Sequence, residues 1–249
     1  MFISIAAYHF VAIDDPGVVA AHVRARAMSD GLLGTVLVAA EGINLFLAGN
    51  GEAIDAFLGA LREDPRFATL QAKRSRSDTA PFARLKVKVK PEIISFRRHD
   101  ASPLDGRAPS VTPHTLARWL ESGRDDDGRR VVLLDTRNRE EVGHGSFSGA
   151  VALPIDNFTD LPEALDAHRE ALADATVVGF CTGGIRCEKA VPWMRVNGFA
   201  HALQLDGGIL GYFEQVGGFG YDGHCFVFDE RVALDPALRP VTAPEGARA

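Results

Sequence analysis

Cys181-Thr182-Gly183-Gly184-Ile185-Arg186 combines a nucleophile, a pliable backbone and a permanent cation in one short run. The apolar stretch 176–180 precedes it and Cys187-Glu188-Lys189-Ala190-Val191 follows, which predicts strand, tight loop and helix start. Gly183 and Gly184 let the backbone curl so that successive N–H groups point inward. The helix start adds the positive end of its dipole, and Arg186 adds a charge that no ordinary pH removes. In such a cradle a cysteine pKa falls to about 3.5–7.5, and the thiolate is the nucleophile. Cys181 is therefore the candidate catalytic residue, with Arg186 beside it; a buried structural cysteine next to a glycine-rich turn is the alternative.

Loop length sharpens the chemistry. A cysteine phosphatase would place five residues between cysteine and arginine; here there are four, Thr182 to Ile185. This shorter loop resembles that of the rhodanese family, whose cysteine carries sulfur as a persulfide. Cys187, on the first turn after the loop, either resolves an oxidised or persulfidated Cys181 or packs against the sheet. Cys225, between His224 and Phe226, reads as a core or surface-strand residue, and Lys189 as an exposed helix lysine that could meet an anionic substrate. Eight histidines lie scattered without paired ligand spacing, so no metal site is expected.

A second chemical feature is charge. The net charge is −6, yet residues 73–98 carry +7 and the remainder −13. Lys73, Arg74, Arg84, Lys86, Lys88 and Lys90 are the candidate RNA-binding residues of this stretch, because clustered cations in an acidic chain suit a phosphate backbone. Lys86, Lys88 and Lys90 alternate with Val87 and Val89, as they equally would on a solvated strand face. Phe82 beside Arg84 could stack on a base or sit in a core.

The elements that must position these residues fall into two groups. Residues 2–11 predict a strand, 15–29 a helix opened by Pro16, 34–40 and 43–48 strands about Glu41-Gly42, and 52–62 a helix. Residues 67–75 and 85–96 predict further strands. The order βαββαβ plus one strand implies a ferredoxin-like α+β sandwich over 1–97. Residues 98–112 read as a linker. Residues 113–232 then alternate helix and strand, with strands at 131–135, 150–153, 176–180 and 202–205 and a helix at 161–172. This predicts a mainly parallel sheet flanked by helices. Ligands bind beyond the carboxyl ends of such strands, where Cys181 falls. Pro192 should kink the helix after the loop or delay its start. Residues 233–249 read as a frayed tail.

Composition sets outer bounds. At 249 residues, one large or two small domains are expected. Three cysteines are an odd count, which argues against a disulfide framework and for a reducing compartment, hence the cytoplasm. The N-terminus lacks a basic lead, and no apolar run approaches the roughly 20 residues of a membrane span.

Resemblance extends over both groups. Val132-Leu-Leu-Asp135-Thr-Arg137 and Leu205-Asp-Gly-Gly-Ile209 resemble the first strand and last strand-to-helix turn of rhodanese domains. Residues 181–189, Glu41-Gly-Ile-Asn44, residues 81–90 and residues 225–232 are together similar to the rhodanese-type tRNA uridine hydroxylases. That resemblance implies a ferredoxin-like N-terminal domain and a persulfide-type active site at Cys181. It also implies formation of 5-hydroxyuridine at the wobble position of tRNA with molecular oxygen as co-substrate; no cofactor is expected. Many relatives continue into a cysteine-containing tail, whereas here no cysteine follows Cys225. The loop alone suits a thiosulfate-type sulfurtransferase equally well, and a noncatalytic adaptor would have lost Cys181 or Arg186. Oligomeric state is not legible.

Overall fold

The structure, a computed structural model, describes residues 1–98 and 102–241. Two compact units divide between Phe96 and Arg97.

The first unit runs β1 (Phe2–Phe10), α1 (Pro16–Ser29), β2 (Leu33–Ala39), β3 (Gly42–Gly49), α2 (Gly51–Arg62), β4 (Ala72–Ser77) and β5 (Leu85–Val89). Its sheet has the order β4-β1-β3-β2-β5. All neighbours are antiparallel except β2 and β5, which run parallel. Alternation places Ile5, Val36, Val38, Ile43, Leu45, Leu47 and Val87 in one core with Val19, Val23, Ile54, Phe57 and Leu58 of the helices. Asn50 opens α2 by accepting the Ala53 N–H at 2.7 Å.

Two strand expectations need correction. Residues 67–71 are not strand: Asp64 accepts the Arg66 N–H at 2.9 Å and starts a 3-10 turn, Pro65–Phe67, that buries Phe67. The last strand ends at Val89 rather than Phe96, because Pro91 cannot donate to a ladder. The chain beyond it is gripped by side chains instead. Glu41 accepts the Ile93 N–H at 2.7 Å and Asn44 donates to the Ile93 carbonyl at 3.2 Å. This gives Glu41-Gly-Ile-Asn44 a role that its spacing did not suggest.

The second unit contains β6 (Ser110–Val111), α3 (Pro113–Ser122), β7 (Val131–Asp135), α4 (Arg139–Gly143), β8 (Gly145–Phe147) and β9 (Val151–Ala152). It continues with α5 (Leu161–Asp166), α6 (Arg169–Leu172), β10 (Thr176–Phe180), α7 (Cys187–Val196), β11 (Ala202–Leu205) and α8 (Gly208–Val216), then the short strands β12 (Tyr221–Gly223), β13 (Cys225–Phe226) and β14 (Ala233–Leu234). The main sheet, β6-β11-β10-β7-β9, is parallel throughout. Its central strand β10 is buried along its whole length, as a strand covered on both faces must be.

Here too particular expectations change. Residues 110–111, assigned to the linker, pair with β11 because Val111 belongs to the core. The helix at 161–172 is two helices, parted where His168 N–H bonds to the Leu165 carbonyl in a tightened turn. The helix after the loop starts on time at Cys187 and carries Pro192 inside. What Pro192 forfeits is the bond to the Glu188 carbonyl four residues earlier. Ala233–Leu234, assigned to the tail, pair with β13 and are buried; the remainder of that tail from 242 lies outside the described residues. Among the described residues no helix is long and apolar enough to cross a membrane.

Candidate active site

Cys181 stands directly after β10, at the carboxyl end of the sheet's central strand. Its side chain is 1% exposed. The Gly184 N–H donates to its sulfur at 3.2 Å, and the Cys187 side chain and the Arg186 charge and backbone amide also favour its ionised form. Burial alone would push this thiol up. The Cys187 hydrogen bond, the Arg186 charge and the two amides outweigh burial and hold Cys181 well below the ordinary thiol range. Gly184 takes φ +101°, a conformation that L side chains rarely adopt, so the glycine is what aims its own amide inward. The Gly184 carbonyl in turn accepts the Cys187 N–H at 3.0 Å, which welds the loop to α7.

The loop is also held from behind. The first amides of α8 donate outward: Ile209 N–H to the Cys181 carbonyl at 2.9 Å and Leu210 N–H to the Thr182 carbonyl at 3.0 Å. With its carbonyls engaged there, the loop presents N–H groups to the sulfur. Gly208 makes this close approach possible, since a Cβ on it would sit 2.4 Å from the Cys181 oxygen and 2.7 Å from the Gly184 nitrogen. The pair Gly207-Gly208 is thus the floor of the site.

Arg186 is buried, and its guanidinium is held by Glu141 at 2.7 and 3.1 Å. Glu141 is itself 0% exposed. Asn138 starts α4 and accepts the Glu141 N–H at 3.0 Å, while the Glu141 carboxylate reaches back to the Asn138 N–H at 3.3 Å. This capping box fixes the carboxylate that fixes the arginine. Local sequence does not single out Glu141 as the partner of Arg186 rather than of Arg137. Arg137 instead pairs with Asp135 at 2.7 Å, both side chains fully buried, and also donates to the Gly145 carbonyl at 2.7 Å. The Asp-x-Arg motif is scaffold that ties β7 to the start of β8.

Cys187 is fully buried, with the Thr136 hydroxyl 3.7 Å from its sulfur. Burial and the neighbouring Cys181 push its thiol well up, so at neutral pH it is a proton-bearing donor to Cys181. Cys225 is buried and pushed up to about 12 by burial, which keeps it neutral. Lys189, read as exposed, is buried, as is Glu188. Thr182 lies within 3.5 Å of Glu141 and donates to the Phe226 carbonyl at 3.4 Å. The loop thus sets the Gly184 amide and the Arg186 charge about the Cys181 sulfur, and Glu141 braces Arg186 from outside the loop. No group of three His, Cys, Asp or Glu among the described residues could hold a metal.

The basic residues are not one patch. The sheet order sets β4 and β5 at opposite edges of the first unit, four strand spacings or roughly 19 Å apart. Register puts Lys73 and Lys86 in one cross-strand row, Lys73-Ala6-Phe46-Thr35-Lys86, on the face away from the helices. Arg74 points to the other face and pairs with Asp55 at 2.5 Å. Lys86, Lys88 and Lys90 are exposed along or just beyond β5, with Arg84 immediately before it.

Comparison with known proteins agrees with both units. Residues 2–93 match the UPF0176 acylphosphatase-like domain and residues 112–215 the rhodanese-like domain. The chain is 66% identical to a protein of Xanthomonas euvesicatoria pv. vesicatoria named tRNA uridine(34) hydroxylase, over 97% of each chain. It is 64% identical to proteins of the same name from Xanthomonas oryzae pv. oryzae, over 98% of this chain and 97% of the relative, and from Xylella fastidiosa, over 97% and 94%. Coverage this high leaves these relatives no long further tail. A ferredoxin-like unit followed by a rhodanese unit with an intact cysteine loop, at such identity over nearly the full length, makes this chain a member of the tRNA uridine(34) hydroxylase family.

Proposed function

We propose that this chain hydroxylates the wobble uridine of tRNA to 5-hydroxyuridine, with molecular oxygen as co-substrate and Cys181 as the reacting nucleophile. The observation that carries the reading is the intact Cys181 cradle in a chain 66% identical over 97% of its length to a protein named for that reaction. Thr182, Gly183, Gly184 and Ile185 form the active-site loop, and Arg186, braced by Glu141, keeps the sulfur ionised. Thiolate addition to C6 of the uracil ring would push electron density to C5 and make that carbon the nucleophile toward oxygen. Dioxygen adds at C5, and two electrons from an external reductant cleave its O–O bond, leaving a C5 hydroxyl and releasing water. Loss of the C5 proton then expels the thiolate and restores the C5=C6 double bond, so that the whole sequence consumes dioxygen, two electrons and two protons. The lysines of the first unit, Lys86, Lys88 and Lys90 foremost, hold the RNA backbone. A tRNA substrate and three unpaired cysteines suit the cytoplasm.

A thiosulfate-type sulfurtransferase through a Cys181 persulfide is the second reading, favoured by the rhodanese-length loop. Nucleoside mass spectrometry of tRNA from a strain lacking the gene separates the two. Loss of wobble 5-hydroxyuridine and its derivatives, restored by the wild-type gene and not by Cys181→Ser, is the expected result. A changed thiolation pattern with hydroxylation intact would favour sulfur transfer instead.

A further inference from the structure

The hairpin that follows the second sheet folds back over the Cys181 loop. Cys225–Phe226 pairs with Ala233–Leu234, and Val227 N–H bonds to the Val232 carbonyl at 2.8 Å. The Phe226 carbonyl accepts the hydroxyl of Thr182, the residue after Cys181. The Phe226 ring lies 5.2 Å from His144 and meets Phe228 edge-on at 5.0 Å. Phe228 is 52% exposed, and the Arg186 guanidinium stands 5.9 Å from its ring centroid. The turn beyond it is pinned by a buried ion pair, Arg231 to Asp229 at 2.5 Å. A solitary exposed phenylalanine needs no explanation. This one is braced on one edge by a second aromatic and sits against the cation that acts on the candidate nucleophile.

A half-exposed ring braced from behind suits stacking by a flat, electron-poor heterocycle. Bases of an anticodon loop can be splayed out and stacked on aromatic or guanidinium planes. We propose that Phe228 is the stacking platform for the pyrimidine to be modified, holding an unstacked uracil at the mouth of the Cys181 loop. This rests on the tRNA hydroxylase reading and adds where the base docks. Phe226 supports the ring, and Thr182 ties the platform to the nucleophile's own loop, so base and sulfur are positioned together.

The test compares wild type with Phe228→Leu, Phe228→Ala and Phe228→Trp on unmodified tRNA, measuring 5-hydroxyuridine formation. Stacking contributes about 1–3 kcal/mol per base, so Leu and Ala should lose about 5- to 150-fold in kcat/KM, while Trp restores it. The fluorescence of the Trp variant should be quenched by an anticodon stem-loop with uridine at the wobble position and not by one with an abasic site there. The pH dependence of Cys181 alkylation should match wild type in all three variants. Leu performing as well as Phe, or an altered alkylation profile, would overturn the platform by showing that the ring merely covers the loop. A wild-type protein that forms no 5-hydroxyuridine overturns the functional reading itself, whatever the variants do.

Discussion

At the scale of single residues, a small set of groups keeps Cys181 ionised, and each is held in place by another. Iodoacetamide alkylation of Cys181 should rise with pH and level off with an inflection below about 7.5, against about 8.5 for a free thiol. The direction follows from the sign of each influence: burial favours the thiol, whereas the Cys187 donor, the Arg186 charge and the amides favour the thiolate. Cys187→Ala removes a donor and should move the inflection up. An unchanged inflection would show that Cys187 only packs. Arg186 cannot be tested alone, because its loss leaves Glu141 buried and unpaired. Arg186→Met should cost about 3–5 kcal/mol in urea unfolding, as breaking a buried pair does. Adding Glu141→Gln should recover most of that stability, since glutamine keeps the capping box, and none of the activity. Recovery of activity together with stability would remove Arg186 from the chemistry.

At the scale of elements, the site is a strand, a loop and two helix starts, one opening the loop's exit and one bracing it from behind. Gly208→Ala tests the brace. A methyl group there would meet the Cys181 carbonyl, and the residue sits at φ +61°. Overpacking costs about 1–3 kcal/mol and left-handed backbone a further 1–2 kcal/mol roughly, so thermal unfolding should shift down and the Cys181 inflection should rise. A lowered melting temperature with an untouched inflection would mean that α8 braces the fold but not the cradle. These elements also show what was legible. Strand β10, the loop and the start of α7 could be read because apolar run, glycines and arginine are contiguous. Glu141 could not, since it lies 45 residues before Arg186 and meets it only through the sheet. Nor could the grip of Glu41 and Asn44 on Ile93, which replaces a ladder that Pro91 interrupts. Ser110 and Val111 sit among prolines and polar residues, and only pairing with β11 makes them a strand.

At the scale of the whole molecule, sheet order decides what a charge run means. Lys73 and Lys86 are thirteen positions apart in sequence, yet they lie on opposite edges of the first sheet, a separation set by crossovers that no local pattern encodes. Lys86→Gln, Lys88→Gln and Lys90→Gln together should weaken tRNA binding and flatten its salt dependence by about 0.7 for each phosphate no longer neutralised. Cys181 alkylation should not change. Affinity and slope that both survive would make β5 a solvated edge. That Cys181 drives an oxygen-dependent hydroxylation of tRNA can be checked with purified protein, a reductant and unmodified tRNA under isotopically labelled dioxygen. Wild type should form wobble 5-hydroxyuridine carrying the label, with none formed under nitrogen or by Cys181→Ser. Product formed by Cys181→Ser at the wild-type rate, or formed equally without oxygen, would contradict that claim.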